Sequence, residues 1–230
     1  MFFDPLYLIM VMPAVLLGIY AQYKVQSAYK KYLRVGNASR LNGLDAARRL
    51  LGAAGLSHVT LEGVPGQMTD HYDPQSKTLR LSDGVAQSAS VASMAIVAHE
   101  VGHAIQDDRA YAPLRFRGFL VPGVKVGAAL GPILFFIGFF FQMEPLAWAG
   151  LILYSSMALF ALATLPTELN ASSRAMALLT SSGMIVGRQE ERGARAVLNA
   201  AALTYVAFVA QGLLQWLYYV ILLTGGRRRD

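Results

Sequence analysis

The chain has 230 residues, of which 55% are hydrophobic and only 15% charged, a balance too apolar for an ordinary soluble domain, so much of it is expected in lipid. It contains no cysteine, which excludes disulfides, thiol nucleophiles and cysteine-based zinc sites and fits a reducing compartment. The net charge of +6 raises nucleic acid as a partner, but the basic residues have no interleaved aromatics and flank the apolar runs, as the positive-inside rule requires, so no nucleic acid is expected.

Four apolar runs are long enough to cross a hydrocarbon core, which takes about 20 residues: Pro5 to Tyr23, Phe119 to Met143, Leu146 to Leu165 and Tyr205 to Thr224. The first reads as a retained anchor, because Asp4 stands where a signal peptide has its basic region and no small-x-small cleavage site follows. Lys24, Lys30, Lys31 and Arg34 follow this run, and Arg109, Arg115 and Arg117 precede the second. Arg174, Arg188, Arg192 and Arg195 lie between the third and fourth. The segments 24–118 and 166–204 are therefore expected in the cytoplasm, with the amino terminus outside and the protein a multi-pass component of the cell membrane. The tail Arg227-Arg228-Arg229-Asp230 runs against this topology.

Gln22 to Gly36 reads as a helix continuing into water. A short helix is expected next, with Asn42 as cap, Asp45 in the first turn, Leu44, Ala47, Leu50, Leu51 and Ala54 on one face, and Gly55 past its end. His58 to Val64, Met68 to Tyr72 and Lys77 to Ser82 read as strands, with turns at Pro65-Gly66 and around Asp73-Pro74-Gln75-Ser76. An edge of this small sheet is suited to pair with an extended substrate. In the second apolar run Gly123, Gly127 and Gly131 form a small-residue stripe for helix packing, and in the fourth Gln211 and Gln215 are expected to bond across helices.

The segment Ile96 to Asp108, IVAHEVGHAIQDD, carries the chemistry. Four residues is close to one helical turn, so His99 and His103 project from one face with nitrogens able to meet on one ion. Glu100 lies about a quarter-turn round, placed to hold a water and take its proton as catalytic base. Val97, Val101, Ala104 and Ile105 fall on the far side for packing, and Gly102 leaves room beside the ligands for the ion or a substrate backbone. Two histidines do not complete a catalytic zinc site, which takes three protein ligands and an open position. Glu168, Glu190, Glu191, Asp107, Asp108, His58 and His71 are the candidates for the third. Glu168 is favoured, because it follows the third apolar run on the same expected side of the membrane. His71, at a strand end, is its competitor, and Glu190-Glu191 reads as a solvated charge run. Asp107, one turn beyond His103, is suited to orient a ligand, and Arg195, His71 and Tyr205 are possible oxyanion donors.

The blocks VPGQMTDHYDP with KTLRLSDGV, AHEVGHAIQ, LPTELNASSRA and GARAVLNAAALTYVA, in this order between the apolar runs, resemble the YugP-like family of membrane-bound neutral zinc metallopeptidases. More distantly, HEVGH followed by ELNAS is similar to the gluzincin pattern of HtpX and the CAAX-prenyl endopeptidases. The resemblance implies one zinc per chain held by His99, His103 and Glu168, with Glu100 as base. Ser172 stands where the gluzincin pattern has an aspartate. A hydroxyl there bonds a histidine ring without supplying charge, so Ser172 or Asp107 is expected behind the ligands.

The resulting expectation is a mainly α integral membrane protein: one domain over 1–230, with four transmembrane helices and a cytoplasmic α+β zincin-like portion containing a small sheet. The expected activity is zinc-dependent endopeptidase cleavage of peptide or protein substrates, membrane-associated ones included. The rival readings are a zinc-binding membrane scaffold or chaperone-like protein without turnover, and an ion transporter. The transporter would need carboxylates or histidines at mid-membrane, which the apolar runs lack.

Overall fold

The computed structural model describes residues 4–225; the basic tail at 227–230 lies outside the described residues. The elements, in order, are α1 Pro5–Met10, α2 Met12–Leu33, α3 Gly43–Ala53, β1 Thr60–Val64, β2 His71–Asp73, β3 Thr78–Ser82, α4 Asp83–Ala86, α5 Val91–Asp108, α6 Ala112–Phe140, α7 Glu144–Ser181 and α8 Gly187–Gly225. They divide into two compact units, one of residues 1–21, 112–166 and 204–230, the other of residues 22–111 and 167–203.

Among the described residues, three helices are long and apolar enough to cross a membrane: α6, α7 and α8. The first expected span is not one helix. Pro13 has no amide hydrogen to donate, and the chain breaks at Val11 between α1 and α2. Asp4 caps α1 through Leu6 N–H (3.0 Å) and accepts from the Tyr218 hydroxyl (2.8 Å). The glycine stripe works in part. A side-chain carbon on Gly127 would collide with the Leu153 carbonyl and Ser156, and one on Gly131 would lie 3.0 Å from Tyr154 N, so α6 and α7 touch backbone to backbone. A side-chain carbon on Gly123 would meet open space, and that residue joins α7 only through its carbonyl, which accepts from the Ser156 hydroxyl (3.3 Å), whereas Gly138 is pressed on Ala147 and extends the contact. Gln211 bonds across helices as expected, donating to the Ala14 carbonyl (3.1 Å).

The second unit has its own core, in which Leu50, Leu79, Leu81, Met94, Val97, Val101 and Leu179 are buried. α3 forms as its cap pattern predicts: Asn42 accepts from Asp45 N–H (2.8 Å), and Gly55 takes the left-handed conformation just past the end. β2 and β3 form the expected hairpin, with Asp73 organising the turn through Gln75 N–H (2.9 Å) and the Ser76 hydroxyl (2.7 Å). β1 joins β3 in parallel, so the order is β1-β3-β2 and β3 is central. The second strand is shorter than its pattern suggests. Residues 65–70 form a loop instead, in which Thr69 bonds the Pro65 carbonyl and Asp70 accepts from both the backbone and hydroxyl of Ser82. Burial pushes the Asp70 carboxyl up from its ordinary value.

Glu190 is not a solvated charge. It lies buried at the start of α8, accepts from Val186 N–H (2.8 Å) in the manner of a capping box, and also accepts from Ala38 N–H. It ties the loop after α2 to α8, whereas Glu191 pairs with Arg195 at the surface.

Candidate metal centre

Helix α5 starts at Ser90, whose side chain accepts from Ser93 N–H (3.1 Å), and runs unbroken through both histidines. Its fully buried residues Val97, Ala98 and Val101 fix its rotation in the core, so His99 and His103 face α7. Gly102 sets the distance between these helices. A side-chain carbon there would lie 2.8 Å from the Ala171 carbonyl oxygen. The room that glycine leaves is thus taken by the backbone of α7, not by an ion or a substrate, and this close approach presents Glu168 to the histidines.

Three donor atoms converge. His99 Nε2 lies 3.1 Å from Glu168 Oε2, His103 Nε2 lies 3.4 Å from the same oxygen, and the two imidazole nitrogens are 3.2 Å apart. Tetrahedral zinc, at about 2.0–2.1 Å from each ligand, needs donors about 3.3 Å apart, and all three edges are close to that. His99, His103 and Glu168 are the group able to hold a metal among the described residues. His58 is exposed in a turn. His71 is exposed too, with Nδ1 against the Thr69 carbonyl (2.8 Å), and neither histidine joins the group.

The opposite ring nitrogens are also engaged. His103 Nδ1 meets Gln106 Oε1 at 3.0 Å, and the Gln106 amide donates to the Thr167 carbonyl (2.8 Å) and to Asn170 Oδ1 (3.0 Å). Because the amide hydrogens of Gln106 are committed to two acceptors, its oxygen must face the ring. In the neutral ring His103 Nδ1 therefore carries the proton and the Nε2 lone pair is left to the converging point, whereas a second proton on Nε2 is donated to Glu168 in the protonated ring. His99 Nδ1 lies 3.2 Å from the Ser172 hydroxyl. Asp107 does not reach either histidine. Its Oδ2 accepts from the Tyr72 hydroxyl (2.8 Å) and from Lys77 Nζ. Arg195 is bonded to Glu191 on the exposed side of α8, and Tyr205 belongs to the other unit.

Glu168 is only 2% exposed, and a carboxylate so placed must be compensated. Burial alone would raise its carboxyl, but the hydrogen bonds and charge of His103 and His99 outweigh this and hold it well below the usual carboxylate range. For His103, burial pulls downward, and Glu168 with Glu100 reverses it to a net rise. Glu100 is pushed up, chiefly by burial. It accepts from Tyr72 N–H at 3.0 Å, so β2 touches the one carboxylate of α5 that neighbours the donor triangle without joining it.

Two residues of this constellation are absent from the candidates that the sequence yields. Gln106 has a readable signal, since it lies three residues after His103 on the same helix, a spacing that places neighbours on one face; the charge of Asp107 beside it masks that signal. Tyr72 has none, because its backbone contact depends on how the sheet lies on α5.

The mainly helical chain thus gathers two histidines one turn apart and a buried glutamate from a second helix into a group that could hold a metal ion. The chain belongs to the family described as "Putative neutral zinc metallopeptidase", whose profile matches residues 7–224. It is 40% identical over 222 residues, 96% of this chain and 98% of the relative, to the "Putative membrane protease YugP" of Bacillus subtilis (strain 168). No solved structure matches.

Proposed function

We propose that the protein is a membrane endopeptidase of the gluzincin type, with one zinc held by His99, His103 and Glu168 and with Glu100 as the base. The observation that carries this reading is the donor triangle, whose edges of 3.1, 3.2 and 3.4 Å suit tetrahedral zinc and whose imidazoles are turned by Gln106 and Ser172. Zinc at such a site supplies Lewis-acid polarisation of the peptide carbonyl and acidifies a water. The chain's own residues do the rest. Glu100, held beside the ligands by the Tyr72 amide, takes the proton and delivers it to the leaving amine. The edge strand β2, beside Glu100, is suited to receive an extended peptide as an added strand. A scaffold without turnover would have no use for a buried carboxylate held next to the ligands.

Metal analysis and a peptide-library digest on purified protein test the reading. Glu100→Gln is expected to keep zinc and lose cleavage. Glu168→Gln is expected to lose about 10-fold or more in zinc affinity, and His71→Ala to retain the metal. Zinc kept without Glu168 but lost without His71 would reverse the ligand assignment. The reading includes four membrane passes within one domain, with the first formed by α1 and the apolar start of α2, and a cytoplasmic site, on the strength of the lysines and arginines beside the apolar runs. A cysteine introduced at Asn42 should then escape an impermeant label in intact cells, and its labelling would overturn that placement.

A further inference from the structure

We infer that Tyr72 is a positioning residue for Glu100, clamped from behind by Asp107, so that the edge strand β2 and the helix α5 hold the carboxylate between them. The inference rests on the assignment of Glu100 as base and names what places it.

Tyr72 touches α5 twice, at points seven residues apart on one helix. Its backbone N–H donates to Glu100 Oε2 (3.0 Å), and its hydroxyl donates to Asp107 Oδ2 (2.8 Å). Two turns of helix rise about 10 Å, so residues seven apart lie on nearly the same face. A tyrosine is long enough to span from its own backbone to the second of them. One bond alone would let β2 pivot; two bonds from a single residue fix both its distance and its direction along α5. The phenol remains a donor, since burial and Asp107 push its hydroxyl up from the ordinary value. Lys77, from the start of the hairpin's return, binds the same Asp107 oxygen and closes the clamp on a second residue of the sheet.

The contact is also what the strand needs. β2 has three residues and pairs with β3 along one edge only, with Tyr72 opposite Leu79. So short an edge strand holds its place poorly by ladder bonds alone. Without the anchor on Asp107, the Tyr72 amide would not be held against Glu100, and the carboxylate would lose the donor that fixes its rotamer. The carboxylate must reach both a water and a leaving group. Loss of geometry of this kind lowers turnover while leaving the metal and the rest of the substrate contacts in place.

The test uses the full chain in mild detergent, with three readouts: zinc content, kcat and KM for a cleaved peptide, and amide hydrogen exchange over 71–73 in the metal-free protein. Tyr72→Phe removes the hydroxyl and keeps the ring and the amide. It should retain stoichiometric zinc, speed exchange at position 72 about fivefold or more, and lower kcat about 10-fold with little change in KM. Asp107→Asn, which still offers an oxygen to the phenol, should stay close to wild type. Asp107→Leu, which also removes the partner of Lys77, should be at least as impaired as Tyr72→Phe, and adding Tyr72→Phe to it should cost nothing more. Unchanged exchange and kcat in Tyr72→Phe, or loss of zinc in that variant, would overturn the inference. Glu100→Ala separates the two levels of argument. Faster exchange at Tyr72 in that metal-free variant supports the contact whatever Glu100 does chemically, whereas wild-type turnover in Glu100→Gln would sink the base assignment itself.

Discussion

The two sides of helix α5 are built on different principles. Against α7 the contact is backbone on backbone: Gly102 lies under the Ala171 carbonyl, Gln106 bonds the Thr167 carbonyl, and Glu168 is buried with the histidines. Against the sheet it is made of side-chain hydrogen bonds: Tyr72 donates to Glu100 and to Asp107, and Lys77 pairs with Asp107 at a partly exposed edge. The ligand side therefore has almost no slack, since a methyl group is enough to disturb it. On the sheet side only the Lys77–Asp107 pair is partly exposed, so it alone is screened by salt and individually weak.

The largest expected effect comes from breaking the ligand side. Gly102→Ala places a carbon 2.8 Å from the Ala171 oxygen, and two packed helices have no flexible chain end there to give way. Overpacking of this kind costs about 1–3 kcal/mol, and here it also moves Glu168 from the histidines. Zinc affinity measured by chelator competition should fall at least about 10-fold, in line with losses from disturbed ligand support. Wild-type zinc affinity in the Gly102→Ala protein would show that the α5–α7 spacing does not set the donor triangle.

A smaller effect is expected from Gln106→Leu, which removes no ligand. The His103 ring loses the acceptor that fixes its tautomer, which leaves a buried ring N–H unpaired at a cost of about 1–3 kcal/mol. Zinc affinity should drop about 10- to 100-fold, towards the lower end if the ring keeps its place by packing. Ser172→Ala, which removes the partner of His99 Nδ1, should be milder than Gln106→Leu, because the hydroxyl is only partly buried. Equal effects in the two variants would mean that the glutamine is not the stronger support.

The smallest effect lies on the sheet side and depends on pH. Hydrogen bonds from Ser76, Arg80 and Gln75 hold the Asp73 carboxyl well below the usual carboxylate range. A depressed folded-state value contributes stability above the unfolded value, about 3.9, and that contribution is lost as pH falls through it towards the folded value. Asp73→Asn should therefore be less stable than wild type at pH 7, and the gap in urea midpoint should begin to narrow below about pH 4 and go on narrowing as the pH falls further towards the folded-state value. A gap that is independent of pH would mean that the aspartate stabilises the turn by shape alone.

How much of this was legible in the sequence follows from the range of each interaction. The histidine pair, the cap of α3, the Asp73 turn and the apolar runs are local: each is decided by residues within one or two turns of one another, and their spacing is readable. Glu168 is readable as the favoured one of seven candidates from its place after the third apolar run, but 65 residues separate it from His103, so spacing alone does not bring the two together. The break at Val11 shows that apolar length alone does not make one helix when Pro13 interrupts the amide ladder. What the tertiary structure decided was every contact between elements: the use of Gly102 by the α7 backbone, the burial of Glu190 under Ala38, the parallel docking of β1 on β3, and the two bonds from Tyr72 to α5. Composition and periodicity fix which face of a helix turns inward. They do not say which partner backbone meets it, because that depends on the sum of many weak packing contacts over distant parts of the chain.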